Sequence, residues 1–330
     1  MNNLFPFAIA FILAFVSPAL AQNSLLPKQE LLEKETFWDN KDWDWYKSNI
    51  PFFECPDSEI QTTYYYRWEL LTKHLTYGSP NSGYSFTEFI DRPFWSGTYG
   101  AISCPAGHQL YEARWLRNNR YSQDYCRYWL KTPGAQPRNY STWLADSVWA
   151  THQIHPAFRP TINSYMYADA IAIAKIAELA NDKNTSALFR SKAESIKDNL
   201  QKQLWDPKRK FFFPLSQREE EADGFKTNPL TLTYQSGKYA GSEYGRELIG
   251  YIPWQFNLPD ANKGYEVAWK KLLDSEGFKA PFGPSTVERN DPMFLLKKSC
   301  CWWSGQSWPY ATSQTLKAMA NLLQNYPQTI

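Results

Sequence analysis

The stretch NSYMYADAIAIAKIAEL, Asn163 to Leu179, decides the fold reading. Alanine is the strongest helix former, and its small side chain lets a helix approach its neighbours closely. Ser186 to Leu204 reads as the long helix that follows. Upstream, Ile60, Tyr64, Trp68, Leu71 and His74 recur three and four apart within Ser58 to Leu75, which predicts one buried helical face capped by Asp57 or Ser58. Ala106 to Asn118 and Ser122 to Leu130 form a further hairpin, and Ser141 to Trp149, Gly241 to Tyr251, Ala261 to Leu273 and Gly305 to Gln324 complete the helices. Strand signals are sparse, with Lys210 to Leu215 as one short hairpin arm. No unit recurs with a fixed period of roughly 20 to 50 residues, so a regular solenoid is not expected. The pattern is all-α: about nine helices in pairs, fitting a closed ring of hairpins whose inner helices face a cavity and whose loops at one end form the site.

The termini and composition narrow the class. Met1 to Ala21 joins a polar start to an apolar run from Leu4 to Val16, then Pro18 and the small residues Ala19 and Ala21. This is the pattern of a signal peptide cleaved before Gln22, and the run is too short for a membrane span of about 20 residues. Gln22 to Asp57 reads as an entry segment with short helical turns, and residues 58–330 as the main domain. The 35 basic and 33 acidic side chains are interspersed, so a net charge of +2 gives nucleic-acid binding no electrostatic support. Five cysteines, at 55, 104, 126, 300 and 301, leave one unpaired in an exported chain and form no zinc pattern. No cofactor is expected.

Aromatic residues make up 17% of the chain, including 15 Trp and 21 Tyr. Their polar tips resist full burial, and their flat faces match the C–H faces of sugar rings, so the surplus predicts an aromatic-lined cleft. Three loops concentrate these residues. Asp91, Arg92 and Trp95 lie in FIDRPFWSGTYG, where an Asp–Arg loop clamp is the alternative to a sugar grip. Trp303, Gln306 and Trp308 straddle Gly305 at the expected start of a helix, where capping and packing are the alternative. Trp254 lies in a third loop beside Gln255, and Arg289 follows Glu288 with a loop salt bridge as its bland reading. Glu88, Asp146 and Asp169 are further carboxylates that catalysis could recruit; Asp146, between Trp143 and Trp149, has the apolar setting that raises a pKa.

The segments FTEFIDRPFWSGTYGAISCPAGHQLYEARWL (Phe86 to Leu116), PTINSYMYADAIAIAKIAELA (Pro160 to Ala180), IPWQFNLP (Ile252 to Pro259), GFKAPFGPSTVERNDPMF (Gly277 to Phe294) and CCWWSGQSWPYATSQTLKAMANLL (Cys300 to Leu323) resemble, in order, glycoside hydrolases of the family 63 and mannosylglycerate-hydrolase-like group. That resemblance implies an (α/α)6 toroid and hydrolysis of a glycosidic bond in an oligosaccharide or small glycoside with inversion. A carboxylic acid protonates the leaving oxygen while a second carboxylate, roughly 6.5 to 9.5 Å away, activates water. It also places Trp303, Gln306 and Trp308 in the sugar pocket, Trp254 and Gln255 in a loop aimed at the cavity, and Arg289 among the polar substrate contacts.

The departures fall on the catalytic pair. The acid of the family lies between the hairpin that begins at Tyr140 and the helix that begins at Pro160, yet Ala150 to Arg159 (ATHQIHPAFR) holds no Asp or Glu. The base is expected beyond the WSGQSW helix, past Ile330. About nine of the twelve helices of a full ring are visible, a toroid shortened at its C-terminal side. The expectation is a glycoside hydrolase domain that is inactive as it stands, with a secreted carbohydrate-binding protein on the same fold as the alternative.

Overall fold

Asp57 opens the first long helix in the computed structural model, which describes residues 26–91, 100–131, 157–222, 225–296 and 303–326. Its carboxylate accepts the N–H groups of Glu59 and Ile60 at 3.0 and 3.1 Å, satisfying donors that the first helical turn leaves without partners. The chain divides into two units, Met1–Ala135 and Gln136–Ile330.

The first unit contains α1 (Lys28–Glu33), α2 (Trp43–Asn49), α3 (Ser58–Lys73), the hairpin β1 (Leu75–Ser79) and β2 (Gly83–Phe86), α4 (Ser103–Ala113) and α5 (Arg120–Lys131). The buried face of α3 is Gln61, Tyr65, Trp68, Glu69 and Leu71: Trp68 and Leu71 are inside as expected, but the face is rotated so that Tyr64 and His74 are half-buried and Ile60 is exposed. Polar satisfaction explains the rotation: Glu69 goes inside because it accepts the N–H of Asp39 and the hydroxyl of Tyr46, while Tyr65 donates to the Phe53 carbonyl. The β1–β2 hairpin follows α3, its strands paired antiparallel from Leu75 with Phe86 to Ser79 with Gly83. Gly83 closes it at φ +68°, and a Cβ there would collide with the Asp124 carboxylate of α5, so both backbone conformation and packing require glycine.

The second unit begins with β3 (Ala157–Phe158), α6 (Pro160–Leu179) and α7 (Lys183–Leu204). Three residues reverse the chain between the helices. Asn181 takes a left-handed φ of 60°, Asp182 donates back to the Ala177 carbonyl, and the Asp182 carboxylate caps α7 by accepting the N–H of Thr185. Ala170, Ala174 and Ala177 of α6 and Ala193 of α7 are buried, so the two helices pack along their length as the alanine-rich stretch predicts. Short strands follow: β4 (Trp205–Asp206) with β5 (Phe211–Phe212), β6 (Leu215–Ser216) with β3, and β7 (Glu220–Ala222) with β8 (Phe225–Thr227). The unit closes with α8 (Ile252–Gln255) and α9 (Pro309–Asn325).

Two expected helices are not regular. Gly241 to Tyr251 is extended until a 3-10 turn at Leu248–Tyr251, because Gly241 and Gly245 adopt φ of 81° and 98° and Glu247 pairs with Val287 as an isolated β-bridge. Ala261 to Leu273 contains a 3-10 stretch, Tyr265–Lys271, entered through Gly264 at φ 79°. The expected helix at Ser141 to Trp149 lies outside the described residues.

The aromatic surplus goes mainly into the two cores, against the expectation of a cleft. Trp38, Trp68 and Tyr125 are buried in the first unit, and Tyr251, Trp254 and Trp269 in the second. The polar tips of Trp38, Tyr251 and Tyr326 donate to the Leu32, Ala268 and Pro259 carbonyls, whereas the indole N–H groups of Trp68, Trp254 and Trp269 have no hydrogen-bond partner among the described residues, so ring packing outweighs that cost there.

Asp206, at the start of the β4–β5 turn, is buried beside Arg209. Burial opposes its ionisation, but the Arg209 N–H and guanidinium and the Lys208 N–H hold the carboxyl below its ordinary value. The unfolded chain therefore takes up the proton first on acidification. The stabilisation is complete above about pH 4 and is lost as pH falls through the lower folded value. Asp206→Asn is expected to flatten the stability-against-pH curve below pH 4, as read by denaturant titration; a slope unchanged from the parent would show that other groups set it.

Candidate functional site

Three segments of the second unit meet through backbone hydrogen bonds. Thr286 N–H donates to the Gln306 carbonyl at 3.1 Å, the Thr286 carbonyl accepts the Leu248 N–H at 2.8 Å, and Thr286 Oγ1 accepts the Gly305 N–H at 3.0 Å. One residue thus ties the turn before α9 to the turn that starts at Leu248. Gly305 is required there: at φ 116°, its Cβ would fall 2.7 Å from the Phe294 ring. Ser304 adds an Oγ donation to the Met293 carbonyl at 2.6 Å.

This clamped turn carries Trp303 and Trp308. The rings stack at 5.6 Å between centroids with 26° between planes, and both are half-buried at the edge of the core of the second unit. Tyr310 stands edge-on to Trp303 at 6.3 Å. Gln306 turns back into the loop, its Oε1 accepting the Ser304 N–H at 3.0 Å. The helix begins at Pro309, four residues later than the sequence suggested, and Trp308 occupies its cap position with no side-chain cap.

Behind the turn runs a buried ionic chain. Glu288 accepts both the guanidinium and the N–H of Arg246, with Nη1 at 2.9 and 3.2 Å from the two carboxylate oxygens. Burial raises the Glu288 carboxyl above its ordinary value even though the Arg246 charge pulls the other way. Arg246 Nη2 donates to the Arg209 carbonyl at 2.7 Å, and the Arg209 guanidinium, 3.7 Å from the Phe213 ring, holds Asp206. Glu247 faces Arg159, the residue before α6, at 3.7 Å. These groups fix the loops; they belong to the scaffold of the turn.

The remaining sequence candidates scatter. Trp254 is 0% exposed, edge-to-face with Phe212 and Trp269, so its ring is part of the core and not of a surface loop; the adjacent Gln255 carbonyl accepts from Asn321. Arg289 is exposed and donates to the Lys279 carbonyl, while its neighbour Glu288 takes Arg246 as partner, so the salt bridge that is the alternative for Arg289 is not made with Glu288. Asp91 is exposed; Arg92, Trp95 and Asp146 lie outside the described residues. Crowding by surrounding protein raises the carboxyls of Glu88 and Asp169, although both residues keep contact with solvent. Sequence reasoning missed Arg246 and Arg209. Nothing local marks Arg246, which meets Glu288 across 42 residues, and the nearness of Arg209 to Asp206 does not reveal that its guanidinium also reaches the carbonyls of Thr233 and Tyr244.

The model of the mannosylglycerate hydrolase MGH1-like glycoside hydrolase domain matches residues 142–328. The chain belongs to this family. Among solved structures, it is similar to a sialidase at 31% identity and a TM-score of 0.71, over 87% of this chain. That overlap spans 29% of the sialidase chain. No curated protein matches. As a member of the MGH1-like glycoside hydrolase domain family, the chain has the mainly helical architecture of the six-hairpin glycosidases, and its clamped Trp303–Trp308 turn falls inside the matched domain. Among the described residues no helix of this family member is long and apolar enough to cross a membrane.

Proposed function

We propose that this glycoside hydrolase domain binds an oligosaccharide or small glycoside on the Trp303–Trp308 pair and that the protein cleaves its glycosidic bond with inversion. The observation that carries this reading is the half-buried indole stack on a turn that hydrogen bonds and a positive-φ glycine hold in place. A rigid aromatic plate loses little conformational freedom on stacking against a sugar C–H face. Inversion needs a protonated acid and a base on opposite faces of the sugar, separated enough to admit water. Export is part of the proposal and is supported by the leader-like stretch Met1 to Ala21.

One observation favours a second reading, a non-catalytic carbohydrate-binding protein. Two buried carboxylates near the turn, Glu288 and Glu247, each face a guanidinium, and a carboxylate so paired is a poor proton donor or base.

Incubation with aryl and disaccharide glycosides of mannose and glucose separates the two. Turnover whose first product, by NMR, has the opposite anomeric configuration supports hydrolysis with inversion; a retained anomer excludes inversion. Binding by calorimetry without turnover supports the second reading. In either case Trp308→Ala is expected to weaken sugar binding about tenfold, the size of one good aromatic contact. Unchanged affinity in that variant would remove the platform.

A further inference from the structure

Phe282 is 96% exposed, at the tip of the segment Lys279-Ala-Pro-Phe-Gly-Pro284. A single exposed hydrophobic is ordinary on a protein surface. What sets this one apart is how firmly the loop holds it and where. Pro281 and Pro284 flank the tip and fix their own φ, which restricts the chain on both sides. Gly283 stands at φ 123°, a conformation closed to other residues, and approaches so closely that a Cβ would lie 2.9 Å from Ser307 Oγ and 3.3 Å from Thr312 Oγ1. Ser307 is the residue before Trp308. The stem is closed by Ser285 N–H donating to the carbonyl of the fully buried Phe278 at 3.0 Å, and the next residue is the clamping Thr286. The loop that displays Phe282 is therefore fastened directly to the turn that displays the indole pair.

We propose that Phe282 forms a second sugar subsite beside the Trp303–Trp308 platform, so that the site selects an oligosaccharide over its terminal monosaccharide. The inference rests on the platform reading and extends it by one residue of glycan. An exposed apolar ring gains by being covered, and the backbone that carries it, restricted by Pro281, Pro284 and the tight Gly283, has little freedom left to lose when it is. A sugar ring is the occupant that fits: its C–H face covers the phenyl while its hydroxyls stay solvated at the exposed tip. Continuity with the indole turn distinguishes this position from a general sticky patch, which has no reason to be tied to Ser307 and Thr312.

The test uses the full chain. A glycan array identifies the best-bound oligosaccharide, and calorimetry then compares it with its terminal monosaccharide for the parent, Phe282→Ala, Phe282→Tyr and Trp308→Ala. Phe282→Ala is expected to lower the oligosaccharide-to-monosaccharide affinity ratio five- to tenfold, and Phe282→Tyr to restore it, with the thermal midpoint unmoved in both. Trp308→Ala is expected to weaken both ligands together. If Trp308→Ala weakens binding and Phe282→Ala leaves the ratio unchanged, the subsite is wrong and the platform stands. If the parent binds no glycan, or Trp308→Ala binds as the parent does, the platform falls and the subsite falls with it.

Discussion

Arg246→Ala is expected to cost about 3–5 kcal/mol of folding stability, the penalty for stranding a buried charge. Arg246 is 6% exposed and Glu288 1% exposed, and the guanidinium supplies Glu288 with its shortest contact while also donating to the carbonyls of Arg209 and Glu243. Alanine removes the compensating charge and leaves the carboxylate in the protein interior. Burial already raises that carboxyl in the parent. Without Arg246 the rise increases, so the folded variant holds a proton that the unfolded chain releases. The variant's defect must then shrink as pH falls toward 4 and grow as pH rises. Denaturant midpoints at pH 5 and pH 8 read this directly. An Arg246→Met/Glu288→Met double variant, which removes both charges and fills the space, is expected to regain most of the loss. A single variant within about 1 kcal/mol of the parent would show that the pair contributes little.

Trp254→Ala is expected to destabilise by a similar amount, about 3–5 kcal/mol, by leaving the largest fully buried side chain's volume empty. The indole sits between Phe212 at 5.5 Å and Trp269 at 5.7 Å, and the backbone on either side of its peptide accepts from Asn321 at 3.0 and 2.8 Å. That buried amide keeps α8 anchored to α9, so the surroundings are held open and collapse only partly into the cavity. Trp254→Phe should lose less than half as much. Thermal or denaturant unfolding measures both. A Trp254→Ala variant that kept parental stability and lost sugar affinity would return Trp254 to the binding site, against its place in the core.

These two residues mark the limit of what local sequence discloses. The α6–α7 hairpin is legible because its determinants are neighbours: buried alanines, Asn181 free to go left-handed and Asp182 ready to cap. The indole pair is legible for the same reason, with Trp303, Gly305 and Trp308 inside six consecutive residues. Gly241 to Tyr251 was misread because a helical spacing of apolar residues says nothing about two glycines at positive φ or a bridge to Val287. Trp254 was misread because an indole in a Pro-rich segment looks the same whether it meets solvent or Phe212.

By itself, then, the sequence determined the helical class, the main hairpin and the contiguous aromatic turn before α9, since each follows from side chains within a few residues of one another. The tertiary structure alone decided which aromatics form core, that Glu288 takes Arg246 and not the adjacent Arg289, and that Phe282 stands beside the indole turn. Those outcomes depend on partners tens of residues away, and the free energy of burying a charge or a ring is set by the partner it meets when the chain closes.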